Sequence, residues 1–447
     1  MLRNKKTKSV QICWVFLALL IFGLTTLPAE GAKQTIKIGV LGPMKLRMGE
    51  AFWNNAELAA REINAGGGIL VGKAKIPIEI IKIDTNEFQS VPDAVMAAER
   101  AVTVDKVDFL TGATRTEAVL AMQDVAMDYK TIFISTVANH PELCERVAKN
   151  YDRYKYFFRL SHPNAIHAAS AVNALTETVA DTIRKELGIK TPKVALMAER
   201  AAHADLITKI SQERLPKMGM EIVGVWRPSA FANDVTAELS AIKAAGAQIL
   251  QTVFTGPVGI VTSKTIHEMK IPIAAVGWNV DVMDIAFWQT SGGKGEYQAT
   301  WTAITRVKMT DKSIPFYDKY KNTYMQTRVP GNPAATYDAL YILKDVIEKA
   351  GTLDPAALVV QLEKIDHVGV LGRQVFTSRT SPYPHDITYG PGYVTGVGMQ
   401  WIAGEQVTFW PHGGAVLGDK AWVGLKYEGT KNYVLPPWLK EYWKGKQ

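Results

Sequence analysis

The chain has little cysteine. Only Cys13 and Cys144 occur in 447 residues. Cys13 lies in an apolar N-terminal stretch, so its removal would leave Cys144 without a partner and exclude an intrachain disulfide. Cys144 follows Pro141-Glu142-Leu143 on an expected helix and reads as a buried packing residue, not a nucleophile. The common catalytic motifs are also missing. No G-x-G-x-x-G follows the first strand-like run, which speaks against a dinucleotide fold. No G-x-x-x-x-G-K-[ST], G-x-S-x-G or H-E-x-x-H is present, and the eight histidines are scattered. No cofactor, metal site or catalytic residue is expected. No dense Lys/Arg cluster is interleaved with aromatics. With residues 1–31 set aside the formal charge is +5, mild for this length, so nucleic acid is not an expected partner.

What is present begins at the N-terminus. MLRNKKTKSV carries four positive charges and no acid, and the apolar run QICWVFLALLIFGLTTL and then PAEGA follow. A basic region, a short apolar region and small residues at a cut site describe a secretory signal over 1–31, with Ala29 and Gly31 at the −3 and −1 positions. The apolar stretch from Ile12 to Leu27 is shorter than the ~20 residues of a comfortable membrane span. Cleavage after Gly31 is expected, with a retained N-terminal anchor as the alternative. The expected location is periplasmic or otherwise extracytoplasmic.

A chain of this length is expected to form two lobes. Strand-like runs alternate with helical segments. TIKIGVLGP leads into a helix whose Phe52, Ala56, Ala59, Ala60 and Ile63 fall near helical spacing and which stops at Gly66-Gly67-Gly68. PIEIIKIDT, VDFLTG and TIFIST follow, separated by helices. The extended run YKYFFRLSH and a helix from about 164 to 187 lead to KVALMAE, EIVGVW, AQILQTVF and IPIAAVGW, with helices near 205–218, 234–245 and 258–269. Such alternation implies right-handed βαβ units and parallel sheets, in two blocks over 35–136 and 193–278. EYQATWTAITRV reads as a second crossing strand. Helices are expected near 314–327, 333–350 and 355–365, and hairpin character near the Pro-Gly and Ala-Gly turns before Trp410. The tail from His412 falls in no sheet.

IKIGVLGP, MGEAFWNNAELAAREINAGGGI, DFLTGATRTEAVLAMQDVAMDYKTIFISTVANHPEL and ATYDALYILKDVIEKAG, in this order and spacing, resemble the type I periplasmic binding proteins, in particular the branched-chain amino-acid and amide-binding group of ABC importer receptors. The likeness covers about 35–411. It implies two doubly wound parallel-sheet α/β lobes joined by three crossing segments, near 157–162, 299–308 and 368–376. Lobe 1 would hold 33–158 and 308–370, lobe 2 would hold 159–303 and 371–411, and 412–447 would be a C-terminal extension. The lobes of such receptors close on ligand by a hinge motion, and a membrane permease accepts the closed form.

Ligands of open parallel sheets sit beyond the carboxyl ends of strands, near helix N-termini. Four loops are picked on this rule. Gly112 to Thr116 opens a helix, so Thr114, Arg115 and Thr116 form a candidate anion site, where the family binds a ligand carboxylate. Ser135, Thr136, Ala138 and Asn139 follow the next strand and in the family face the ligand's polar head. Met48 and Trp53 are candidates for an apolar wall. From lobe 2 come His203, at the position of a ligand-facing aromatic in the family, and Trp278 and Asn279. Amino-acid receptors place an acid near Asn279 for the ligand ammonium. Here that acid is absent, with Asp281 two residues on, which favours a small carboxylate with an apolar or aromatic body ahead of a branched-chain amino acid. The expected protein is a monomeric solute receptor of an ABC importer that binds without turnover. A ligand-sensing signalling domain is the alternative, and an exported α/β enzyme fits less well.

Overall fold

Alternating β-branched runs and amphipathic segments build two parallel sheets in the computed structural model, which describes residues 33–160, 164–324, 331–444 and 446. The expected signal segment 1–31, the end of the first crossing run at 161–163 and the end of the helix expected over 314–327 lie outside these residues.

In the first lobe, β1 (Ile36–Gly42) is followed by α1 (Arg47–Ala65), a small antiparallel hairpin of β2 (Ile69–Val71) and β3 (Ala74–Ile76), and β4 (Ile78–Asp84). Then come α2 (Val91–Thr103), β5 (Phe109–Gly112), α3 (Thr116–Asp128), β6 (Ile132–Ser135), α4 (Glu142–Lys149), α5 (Tyr151–Tyr154) and β7 (Phe157–Arg159). The five longer-range strands order as β4-β1-β5-β6-β7, all parallel. β1 is buried along most of its length because helices cover both faces, as parallel sheets require. Phe52, Ala56, Ala59, Ala60 and Ile63 on α1 are all buried, as their spacing predicts.

The second lobe begins with α6 (Ala165–Leu187). Its N-terminus is capped by Asn164, whose side-chain oxygen accepts from the Ile166 and His167 N–H groups. β8 (Lys193–Ala198), α7 (Ala202–Arg214), β9 (Glu221–Trp226), α8 (Thr236–Ala244), β10 (Ile249–Phe254), α9 (Val258–Glu268) and β11 (Ala274–Asn279) follow. The parallel order is β11-β10-β8-β9. Both sheets therefore reverse direction after their first unit. Strand order switches between β1 and β5 in one lobe and between β8 and β10 in the other, and these switch points are where ligands gather in open sheets.

After two short helical turns, α10 (Val280–Met283) and α11 (Phe287–Thr290), β12 (Ala299–Thr302) leaves the parallel pattern. α12 (Ser313–Thr323), α13 (Ala334–Ala350), α14 (Pro355–Leu362), β13 (His367–Val368) and β14 (Arg373–Gln374) precede the hairpin of β15 (Val397–Ile402) and β16 (Glu405–Trp410). β12 pairs antiparallel with β15, and the hairpin turns at Ala403-Gly404, as the sequence suggests.

Two segments sit differently from the expected lobe division. Phe376 and Ile387 pack in the core of the first lobe, and the Arg159 N–H donates to the His385 carbonyl, so this stretch extends the lobe-1 sheet edge beyond β7. The aromatic face of Phe158, stacked on His385 at 4.0 Å, is what this segment covers. α12 bridges the lobes. Phe316, Tyr317 and Tyr320 join the second lobe's core, while Tyr324 just beyond it donates to the Asn54 carbonyl on α1. At the first crossing Arg159 and Asp386 form a buried ion pair, and Asn164 Nδ2 donates to the same carboxylate at 3.0 Å. The tail packs on the second lobe. α15 (Pro437–Lys444) anchors it, with indole N–H groups of Trp438 and Trp443 donating to the Ile271 and Pro272 carbonyls, each at 2.9 Å.

Candidate ligand-binding cleft

The loop after β5 starts with a backbone only glycine supplies easily. Gly112 has φ +104, and a Cβ there would lie 2.2 Å from the Leu41 carbonyl oxygen. Ala113 follows at φ +63. The turn aims the Thr114 and Arg115 N–H groups at Glu87, in the loop after β4, at 2.8 and 3.2 Å. The Thr85 hydroxyl donates to the same carboxylate at 3.0 Å. Glu87 is only 2% exposed. The anion position that the sequence assigns to a ligand carboxylate thus holds the protein's own carboxylate, and this corrects the role expected for Thr114. Burial pushes the Glu87 pKa up to about 7, although the three donors and Arg115 pull the other way.

The second lobe repeats the device at its own switch point. Glu199, just after β8, is fully buried and accepts from the Thr255 and Gly256 N–H groups at 2.8 and 2.9 Å and from the Thr255 hydroxyl. Arg115 lies between the lobes. Its Nε is 3.1 Å from Glu117, Nη1 is 3.7 Å from Glu199, and Nη2 donates to the Arg200 carbonyl at 3.3 Å. Glu117 in turn accepts from the Ala202 N–H at 3.2 Å. Arg115, expected to meet a ligand carboxylate, spans the two lobes through these contacts.

Other expected site residues gather behind this seam. The Thr116 and Ser135 hydroxyls and His203 Nε2 are buried and have no hydrogen-bond partner among the described residues. Burial holds the His203 imidazole below its ordinary pKa, with the Glu199 carboxylate pulling the other way. The Thr136 hydroxyl meets that of Thr336 on α13 at 2.9 Å. Ala138 is buried, and the Asn139 carbonyl accepts the Ala165 N–H at 2.7 Å, which ties this loop to α6.

A cavity of about 290 Å³ opens beside the seam, between loops of both lobes. Met48 is the one predicted site residue that lines it. Lys45 and Arg47 face it from the first lobe, Asp281 and Asp284 from the second. Arg47 Nη1 stands 3.6 Å from Asp284. Asp281 accepts the Ile260 N–H, yet its Oδ2 is buried without a partner among the described residues, and burial raises its pKa to about 7. Phe88, Ile260 and Met283 join Met48 in an apolar wall. Asp281, two residues beyond Asn279, places at the cavity the acid that Asn279 lacks. Asn279 itself faces α9, with Nδ2 3.4 Å from the Gly259 carbonyl, and its Oδ1 is buried and unpartnered.

Two expected site residues, Trp53 and Trp278, lie elsewhere. Trp53 turns toward edge strand β4, where Lys82 Nζ sits 4.6 Å from its ring centroid. Trp278 is buried in the second lobe's core, stacked on Trp301 at 4.8 Å and 11°. Side chains alternate along a strand, and one residue of register separates the cleft from the core. Glu87, Phe88, Arg47, Asp284 and Met283 were not foreseen. The strand-end rule would have found Glu87 and Phe88 had it been applied to the loop after β4 as well.

Two parallel-sheet lobes whose switch points face each other across a closed polar seam define a bilobal ligand-clasping protein. The profile of the periplasmic binding protein family matches residues 35–389. The chain belongs to that family, whose members are extracytoplasmic, and no helix among the described residues is long and apolar enough to cross a membrane. It is 23% identical over 408 residues to Leu/Ile/Val-binding protein homolog 7 of Brucella suis, covering 87% of this chain and 94% of that one. The fold is similar to a solute binding protein of an ABC transporter from R. palustris in complex with benzoate, with a TM-score of 0.69, 16% identity, and 88% and 99% of the two chains covered. It is also similar to the branched-chain amino acid transporter substrate binding protein LivJ from Streptococcus pneumoniae in complex with isoleucine, with a TM-score of 0.67, 21% identity, and 83% and 97% covered.

Proposed function

We propose that this protein is the solute receptor of an ABC importer and that its lobes close on a small carboxylate-bearing solute that also carries an ammonium group and an apolar body. The observation that carries this reading is the polarity of the cleft cavity. Arg47 and Lys45 offer positive charge on one side, Asp281 offers a carboxylate with a free buried oxygen on the other, and Met48, Phe88, Ile260 and Met283 lie near them. An amino-acid zwitterion satisfies both ends, as charge-assisted hydrogen bonds require. An aromatic acid without a donor leaves Asp281 unpaired, which is costly in a desolvated site. The curated relative named for leucine, isoleucine and valine supports the same reading. The ligand leaves unchanged, and the closed form is handed to membrane permease subunits. The receptor acts as a monomer with residues 1–31 removed, which mass spectrometry of the exported protein checks by the absence of a Met1 terminus.

A thermal-shift screen of amino acids, hydroxy acids and aromatic acids tests the ligand class. A binder at 100 times its dissociation constant adds about 2.7 kcal/mol of stability. Stabilisation by an apolar amino acid is the expected result. Stabilisation by aromatic acids alone would overturn the role given to Asp281.

A further inference from the structure

A second cavity shares no lining residue with the inter-lobe cleft and is walled chiefly by the second lobe and the C-terminal tail. At about 920 Å³ it is some three times the volume of the cleft cavity and sits near the upper end for small-molecule sites. One wall comes from α6 and the end of α7. The other comes from the Thr388–Tyr393 loop, Trp410 and the tail segment Val416–Trp422. That tail segment lies beyond the 35–389 span matched by the family profile.

The tail is fixed over the cavity by its own contacts. Leu417 and Gly418 adopt φ +53 and +77, and the Leu417 N–H donates to Glu177 on α6 at 3.3 Å. Val416 and Trp422 are buried in the second lobe's core. The lining is strongly aromatic. Trp422 lies 5.0 Å from the Trp410 ring and 5.9 Å from Tyr389, and Tyr389 lies 5.6 Å from His167. The four rings form a continuous, bent panel. Trp410 Nε1 is buried without a hydrogen-bond partner among the described residues.

The cavity carries two acids and two cations, and none of the four forms an ion pair among the described residues. Each acid is held toward the tail by a backbone donor, Glu177 by the Leu417 N–H and Asp419 by the Ala421 N–H, which leaves the two cations without a carboxylate partner. Its two cations, Arg214 and Lys217, form no ion pair among the described residues, and Arg214 has only the Ser170 hydroxyl as side-chain partner. A planar guanidinium beside an aromatic panel suits a flat anion, with its ring against the panel and its carboxylate on the fork.

We propose that the second lobe and the C-terminal tail together form a second binding site, distinct from the inter-lobe cleft, for a planar aromatic carboxylate. Ring contact with half-buried Tyr389 and exposed His167, backed by the buried Trp422, supplies the contact area, and Arg214 with Lys217 fixes the carboxylate. The volume admits a two-ring acid.

The test uses the full chain and 2-naphthoate as the probe, with tryptophan fluorescence and calorimetry as readouts. One equivalent is expected to bind, with quenching of tryptophan emission. Arg214→Gln combined with Lys217→Gln should weaken the probe at least tenfold while leaving the melting temperature and the response to apolar amino acids unchanged. Arg214→Lys should retain part of the affinity. Asp281→Asn in the cleft should leave probe binding unaltered. The neutral 2-naphthamide should bind at least tenfold more weakly than the acid. Absence of probe binding at millimolar concentration would overturn the proposal. So would binding that is insensitive to the double variant, or binding that is altered in either direction by Asp281→Asn, which would place the probe in the cleft.

Discussion

Asp281→Asn is the sharpest perturbation of the cleft. Asp281 faces the cavity with Oδ2 buried and unpartnered, and its empty-site pKa is about 7. A ligand ammonium needs the ionised form. At pH 5, two units below that pKa, about 1% of the sites are ionised, so an apolar amino acid should bind about 100-fold more weakly than above pH 8. Two units correspond to about 2.7 kcal/mol. The direction follows from linkage. Bound ammonium lowers the Asp281 pKa, so binding releases a proton and affinity rises with pH until the site is fully ionised. Calorimetry in buffers of different ionisation enthalpy, from pH 5 to 8, reads both the affinity and the proton count. Asp281→Asn should remove the proton release, flatten the pH profile and weaken binding at pH 8 by about 2–4 kcal/mol, because the ammonium is left buried without its counter-charge. Glu87 also titrates near 7, so Glu87→Gln serves as the control and should keep the slope. An unchanged pH slope in Asp281→Asn, or proton uptake on binding in the parent protein, would refute the assignment.

Glu87 carries a stability prediction of its own. Its folded pKa of about 7 stands above the ordinary glutamate value of 4.5, so the folded state binds the proton more tightly. Between pH 4.5 and 7 the native protein therefore holds more protons than the unfolded chain, and unfolding free energy falls as pH rises, by on the order of 3 kcal/mol from this group. Urea unfolding of Glu87→Gln should lack that decline, and equal slopes in the two proteins would contradict the burial argument. Arg115→Gln removes the charge that sits between Glu117 and the fully buried Glu199. It should weaken the closed seam by about 1–3 kcal/mol and enlarge the radius of gyration in small-angle scattering, and an unaltered scattering curve would return Arg115 to a passive role. Trp278→Ala opens a hole beside Trp301 and should cost about 3–5 kcal/mol of stability. Ligand selectivity should be unmoved, and a selective loss of ligand binding at full stability would put Trp278 back in the cleft.

The sequence by itself determined the elements and their order. Strand-like runs such as IKIGV and AQILQTVF are β-branched and apolar because parallel strands are buried on both faces. Helices such as α1 announce themselves through Phe52, Ala56, Ala59 and Ile63 at helical spacing and stop at a glycine run. From that order come two βαβ blocks, two lobes, and a cleft beyond the strand ends. Local pattern also located the Ala403-Gly404 turn, where positive φ is needed. It did not decide which neighbour each polar residue meets. Thr114 and Arg115 were legible as helix-start groups, but that Glu87, some 27 residues earlier, fills their N–H pair depends on β4 and β5 flanking β1 in the sheet. Asn279 and Asp281 are two residues apart, and only the turn after β11 decides that the acid, not the amide, faces the cavity. Trp53 and Trp278 look alike as exposed-loop aromatics or core residues until the packing turns one toward Lys82 and the other onto Trp301. Hydrophobic pattern is a property of nearby residues and survives in one dimension. Charge pairing and cavity lining join residues brought together from distant positions, so they exist only once the lobes have folded and met.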